Sequence, residues 1–123
     1  MPSRSQITPT EHQIQAAFVK WCKLAEPKYP KLRCGFAVPN GGHRNKITAA
    51  LLKAEGVKKG VLDWWLPVKN AHFCGLVIEF KRKGGHVTPE QREMIDFLRA
   101  EGRFVEVCYS TEEAIVMVQR YFK

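Results

Sequence analysis

Asp63, Glu79 and Lys81 are the residues whose types and spacing could do chemistry together. Glu79 and Lys81 lie in the strand-like run Val77-Ile78-Glu79-Phe80-Lys81. Successive side chains of a strand point to opposite faces. Glu79 and Lys81 therefore share one face, while Ile78 and Phe80 share the other and can bury. Asp63 sits in a second strand-like run, Val61 to Val68, and if the two runs pair it brings a second carboxylate to Glu79. Two carboxylates plus waters are the usual hold on Mg²⁺. A lysine beside them can orient a water and stabilise charge on a phosphate. The chemistry this suggests is metal-assisted hydrolysis of a phosphodiester. Glu-x-Lys is also a common triplet, equally compatible with a strand face whose charges are merely solvated.

The elements that must position these residues follow from periodicity. Ile14, Ala17, Phe18, Trp21 and Cys22 recur at core-facing helical spacing and predict a helix from Pro9 to Leu24, ended by Pro27 and Pro30. Arg33 to Val38 reads as a strand, followed by the turn Pro39-Asn40-Gly41-Gly42. The basic run His43-Arg44-Asn45-Lys46 leads into a second helix to Glu55, with Ile47, Ala50, Leu51 and Ala54 as its buried stripe and Gly56 as its stop. After Gly56 to Gly60 come the two strands already described. A third helix runs from Pro89 to Glu101, a further strand from Phe104 to Tyr109, and a last helix from Ser110 to Phe122. Ser110-Thr111-Glu112-Glu113 has the pattern of a capping box. The order α, β, α, β, β, α, β, α predicts one α/β domain over residues 1–123, a small mixed sheet flanked by helices.

Two helix starts share a pattern. Thr8-Pro9-Thr10-Glu11 and Thr88-Pro89-Glu90-Gln91 each read as a threonine cap, a proline at the first helical position, and Glu or Gln at the third. Capping alone would explain Glu11 and Gln91. Both also lie on the apolar stripe of their helices, which points them towards the sheet edge, where a metal site could use them.

Twenty Lys and Arg against twelve Asp and Glu give a net charge of +8. Such a field favours polyanions, with nucleic acid the leading candidate. No apolar run approaches a membrane span and no basic amphipathic helix is evident, so no membrane partner is expected. Met1 to Thr10 is polar and unlike a signal peptide. Cys22, Cys34, Cys74 and Cys108 are scattered, which fits reduced thiols in a cytoplasmic protein. Neither they nor His12, His43, His72 and His86 fall at zinc-ligand spacings. No Walker A or G-x-G-x-x-G pattern occurs, which disfavours a nucleotide cofactor.

Taken together, the segments resemble the virus-type replication-repair nuclease (VRR-NUC) family, a branch of the PD-(D/E)xK nuclease superfamily. The matching pieces are Glu11-x-x-x-Gln15, Asn40-Gly41-Gly42, Gly56-x-x-x-Gly60-Val61-Leu62-Asp63, Ile78-Glu79-Phe80-Lys81, Thr88-Pro89-Glu90-Gln91, and Gly102 with the strand after it. They span residues 8–109. Leu62 departs from the pattern, standing where the family usually has the proline of its P-D pair. The resemblance implies a restriction-endonuclease-like core and a Mg²⁺- or Mn²⁺-dependent endonuclease. It makes Asp63 and Glu79 metal ligands, joined by the backbone carbonyl of Phe80. Lys81 becomes the catalytic lysine, Gln91 a further site residue, and Glu11 an accessory acid. Small stand-alone members, of the sort phages carry, look like nucleases of branched DNA such as four-way (Holliday) junctions.

Arg44, Lys46, Lys53, Lys58, Lys59, Arg82 and Lys83 bracket these positions in sequence and are candidates for phosphate contacts. Trp65 shares Asp63's face and could stack on an unpaired base, although core burial is the commoner fate for Trp64 and Trp65. A four-way junction has two equivalent scissile strands, so a homodimer is expected. Val116, Met117, Tyr121 and Phe122 cover more than one face of the last helix and offer either a surface for a partner chain or a broad contact with its own sheet. A nucleic-acid-binding module that keeps this charge without catalysis is the alternative. A regulatory interaction protein is a more distant one.

Overall fold

The computed structural model describes residues 7–39 and 45–123. Its sheet has the order β1-β2-β3-β4, with β1 Phe36–Ala37, β2 Trp64–Leu66, β3 Leu76–Phe80 and β4 Phe104–Cys108. β1 with β2 and β2 with β3 are antiparallel, and β3 with β4 is parallel. A parallel pair needs a crossover, and helix α3 (Pro89–Ala100) supplies it. Helices α1 (Glu11–Ala25) and α4 (Thr111–Tyr121) cover the opposite face.

Strand alternation divides the core in two. Leu76, Ile78 and Phe80 of β3 join Trp64 and Leu66 against Ile14 and Phe18 of α1 and Ala114 and Val118 of α4. Val77 and Val105 face the other way, onto Leu62 and onto Ile95 and Leu98 of α3. All five residues of β3 are buried, so Glu79 lies on a rigid central strand, on the α3 face. Burying each of Phe18, Ile78 and Phe80 stabilises the fold by about 1.5–3 kcal/mol.

Several local expectations change. Helix α1 is capped by Thr10, not Thr8. The Thr10 hydroxyl accepts from the Gln13 N–H at 3.1 Å, and the Gln13 side chain accepts from the Thr10 N–H at 2.9 Å. The Thr-x-x-Gln spacing simply recurs two residues on, which leaves Glu11 outside the capping box. The strand expected over Arg33 to Val38 shrinks to Phe36–Ala37, because Pro30–Cys34 forms a 3-10 turn that drops Leu32 into the core. Ser110 caps α4 through the Glu113 N–H at 3.1 Å, but the Glu113 carboxylate accepts from the Tyr109 N–H at 2.8 Å, one residue earlier than a capping box requires.

The largest departure is helix α2 (Lys46–Ala54), whose apolar stripe is not buried. Ile47 is 74 % and Leu51 62 % exposed, and Ala50 and Ala54 are exposed as well. The faces of the sheet are already covered by α1, α4 and α3, so α2 has none to pack on. The apolar surplus of α4 is mostly spent within the chain. Tyr121 is buried with its hydroxyl donating to the Val68 carbonyl, Phe122 stacks on Tyr29 at 5.4 Å, and Met117 packs against the larger core. Val116 alone of the four stays exposed.

All four cysteines are free thiols. Burial pushes the thiols of Cys22 and Cys108 up to about 12, which makes them inert. No described helix is long and apolar enough to cross a membrane.

Candidate active site

The antiparallel register pairs Trp64 with Ile78, and one step further it sets Asp63 opposite Glu79, on the α3 face. Asp63 precedes β2 and is held at both ends. Its carbonyl accepts from the Val38 N–H at 2.9 Å, and its carboxylate accepts from the Phe80 N–H at 2.8 Å. Lys81 follows β3 directly, and its Nζ stands 3.5 Å from Glu79 Oε2. Glu79 is 2 % and Lys81 8 % exposed. The strand face has thus brought Glu79 and Lys81 together out of water, with Asp63 half-buried beside them, and the solvated-face alternative does not apply to Glu79 and Lys81.

Gln91 makes the capping contacts and also reaches Glu79. Thr88 caps α3, its hydroxyl accepting from the Gln91 N–H at 3.1 Å. The Gln91 side-chain oxygen accepts from the Thr88 N–H at 2.9 Å. Its amide nitrogen then donates to Glu79 Oε2 at 2.8 Å. Glu11 opens α1 at the rim, exposed, with its carboxylate accepting a long 3.5 Å contact from the Arg82 N–H.

The electrostatics of the pair are unfavourable as they stand. Oε2 of Glu79 has both donors, while its Oε1 is buried without a hydrogen-bond donor. Burial, then the charge of Asp63, pushes Glu79 up to about 8. Burial also raises Asp63, against the lowering effect of the Phe80 N–H. Burial and mutual charge thus act in one direction on both carboxyls, favouring a proton shared between them. A cation would relieve the same conflict. Among the described residues there is no group of three His, Cys, Asp or Glu placed to hold a metal ion. Mg²⁺, however, is bound through one or two carboxylates with several waters retained. The donorless Oε1 beside Asp63 fits that requirement.

A groove of about 920 Å³ opens beside Gln91, between α2 and the start of α3, with Leu52, Val57, Lys53, Lys58 and Lys59 on its walls. Arg82 and Lys83 continue from Lys81 and are exposed. Lys46 is exposed at the start of α2 and does not line the groove. Arg44, with Asn40 to His43, lies outside the described residues. Trp64 is core, edge-on to Phe18 at 4.9 Å. Trp65 is half-buried on the α3 face with its indole N–H donating to the Leu62 carbonyl. A cavity of about 290 Å³ between β4 and α4 is lined by none of the predicted site residues.

Gly60, part of the Gly56-x-x-x-Gly60 motif, has a physical task in the fold. Its φ is +83°, and a Cβ there would meet the Glu90 backbone at 2.7 Å. Glycine is what lets the segment leading to Asp63 lie directly on the start of α3, one residue from Gln91. The positive φ has no signal in sequence beyond the glycine itself.

A mixed sheet flanked by helices, with two carboxylates and a lysine gathered on its central strands, defines a nuclease-like core. The profile of the VRR-NUC domain matches residues 6–112, and the chain belongs to that family. A solved structure described as a VRR_NUC domain protein aligns with a TM-score of 0.80 and 29 % identity, over 94 % of this chain and 90 % of that one. No curated protein matches the chain. Membership carries a nuclease-type function on DNA, and nucleases of this kind generally use divalent metals.

Proposed function

We propose that the protein is a Mg²⁺- or Mn²⁺-dependent endodeoxyribonuclease that hydrolyses phosphodiester bonds in branched DNA such as four-way junctions, as a homodimer in the cytoplasm of a bacterium or a phage-infected host. The observation that carries the catalytic part is the half-buried Asp63 opposite the buried Glu79, beside Lys81, with Glu79 Oε1 lacking a donor. Asp63, Glu79 and the Phe80 carbonyl would hold the ion. When bound, it supplies Lewis acidity, polarising the phosphate and activating water for attack. Lys81, anchored on a buried strand, orients that water and stabilises charge developing on the phosphate. Gln91 keeps Glu79 facing the pair, and the Phe80 N–H does the same for Asp63. Glu11 adds an acid at the rim. Lys53, Lys58, Lys59, Arg82 and Lys83, with Arg44 and Lys46, position the DNA backbone without reading its sequence.

The dimer rests on symmetry: two equivalent scissile strands need two sites, and each chain has one Asp63-Glu79-Lys81 set. The test is cleavage of a labelled four-way junction and a linear duplex of equal length, with Mg²⁺, with Mn²⁺ and with EDTA, alongside Asp63→Asn and Glu79→Gln. Cleavage with metal, none with EDTA, and loss in both variants with DNA binding retained are the expected results. Wild-type rates in either variant would remove that residue from the ligand set. Light scattering at micromolar concentration reads the oligomer. A strict monomer that cuts both DNAs equally well would end the junction and dimer readings.

A further inference from the structure

Residues 20–33 carry Lys20, Lys23, Lys28, Lys31 and Arg33 against one carboxylate, Glu26. All five cations are exposed. Among the described residues the one ion pair is Lys81 with Glu79, so none of the five is neutralised by a carboxylate contact. The negative end of the α1 dipole accounts for Lys23, which lies in the last turn. It does not account for Lys28, Lys31 and Arg33, which follow the helix.

These cations stand on a firm base. Tyr29 stacks on Phe122 at 5.4 Å, with 16° between the rings, and Trp21 lies 6.4 Å from Tyr29. The Lys28 ammonium sits 5.5 Å from the Tyr29 ring centre. Leu32 anchors the 3-10 turn in the core between the exposed Lys31 and Arg33. The rings tie the turn and the end of α1 to the end of α4, so the charges project from packed structure.

The position of this surface gives it meaning. Glu11 starts α1 at the rim of the carboxylate site, and Ala25 ends the same 15-residue helix. At about 1.5 Å per residue the basic surface lies about 20 Å from the site. That is the length of about six base pairs of duplex at about 3.4 Å each.

We infer that the end of α1 and the 3-10 turn form a second DNA-phosphate site, which holds a duplex arm other than the stretch being cut. This rests on the proposed nuclease function, because it takes the same polyanion to be present at both ends of α1. Spread cations that no carboxylate contacts suit a phosphate backbone, which is bound by charge and not by shape. A second arm held here gives branched DNA contacts that a short linear duplex cannot reach.

The test is the variant Lys23→Gln/Lys28→Gln/Lys31→Gln/Arg33→Gln, whose changes are all at the surface, so its melting temperature should stay near wild type. Binding is measured to a four-way junction with arms of about 20 base pairs and to a linear duplex of about ten, each over a salt series. Cleavage of the short duplex with Mg²⁺ is followed in parallel. Junction binding should weaken about tenfold or more, and its log–log salt slope should become shallower by about 3 to 4. Binding and cleavage of the short duplex should be unchanged. Unchanged junction affinity and slope overturn the inference. So does an equal loss on both DNAs, which would make these cations a general attraction. Loss of binding to phosphatidylserine vesicles with junction affinity retained overturns it in favour of a membrane surface. If the wild type cleaves neither DNA yet binds the junction more tightly than the variant, the second site stands and the nuclease reading falls.

Discussion

The Gln91 amide nitrogen donates to Glu79 Oε2 at 2.8 Å while its oxygen accepts from the Thr88 N–H at 2.9 Å. One side chain therefore caps the start of α3 and orients the carboxylate of the central strand. Because the cap fixes which end of the amide is the donor, the start of α3 and the site are set together. Gln91→Glu keeps the acceptor for Thr88 but puts an oxygen against Glu79 Oε2. Activity should fall about 10- to 100-fold, in the range of a lost positioning contact, while a metal-free urea titration shows a loss of about 1 kcal/mol. Full activity with an unchanged midpoint would return Gln91 to capping alone.

Lys81 and Lys83 sit two residues apart, yet Lys81 is buried and Lys83 exposed. Lys81→Ala should lower turnover by about 10²–10³, the usual effect of removing a pre-organised charge. Lys83→Ala should weaken binding and flatten the log–log salt slope by about one phosphate contact. Single-turnover cleavage and salt-dependent binding separate the two. Equal effects would make Lys81 another phosphate contact.

Metal-free stability should depend on pH in a defined window. Glu79 is raised from 4.5 to about 8, so the folded protein keeps a proton that the unfolded chain releases. Stability is fully present below about pH 4.5, falls as pH rises towards about 8, and levels off above that. Asp63 is shifted in the same direction. In EDTA the urea midpoint should drop between about pH 5 and 8, and Glu79→Gln should flatten the profile. Mg²⁺ should restore the wild-type midpoint at the alkaline end. A wild-type midpoint that does not move in EDTA would contradict a buried, protonated Glu79.

Gly60→Ala tests the close approach to Glu90. With φ at +83° and the Glu90 backbone 2.7 Å from the new Cβ, the segment must lift off α3. Destabilisation of about 1–3 kcal/mol is expected, with turnover falling because Asp63 is three residues away. Gly56→Ala, where φ is +100° but nothing lies within 4 Å of the added carbon, should lose stability with little effect on turnover. Denaturant midpoints and initial rates on the same DNA check both.

Period-two and period-3.6 patterns placed the sheet and its helices, because burial on a strand or helix face leaves a local imprint. The period of two also sets Glu79 and Lys81 on one face, and the pairing of β2 with β3 brings Asp63 opposite Glu79. Other features have no local imprint. The apolar stripe of α2 reads like any core-facing stripe, and only the occupancy of the sheet by α1, α3 and α4 leaves it in solvent. Thr8 and Thr10 offer the same capping spacing, and the geometry of the chain entering α1 decides between them. The pattern at Gln91 reads as a cap, and the juxtaposition of α3 with β3 adds its hydrogen bond to Glu79. The buried, donorless Oε1 of Glu79 is likewise a product of packing. The chain's own letters determined which residues share a face. The assembly of faces determined which of them meet, because contacts between distant segments depend on how the elements fill space around one another.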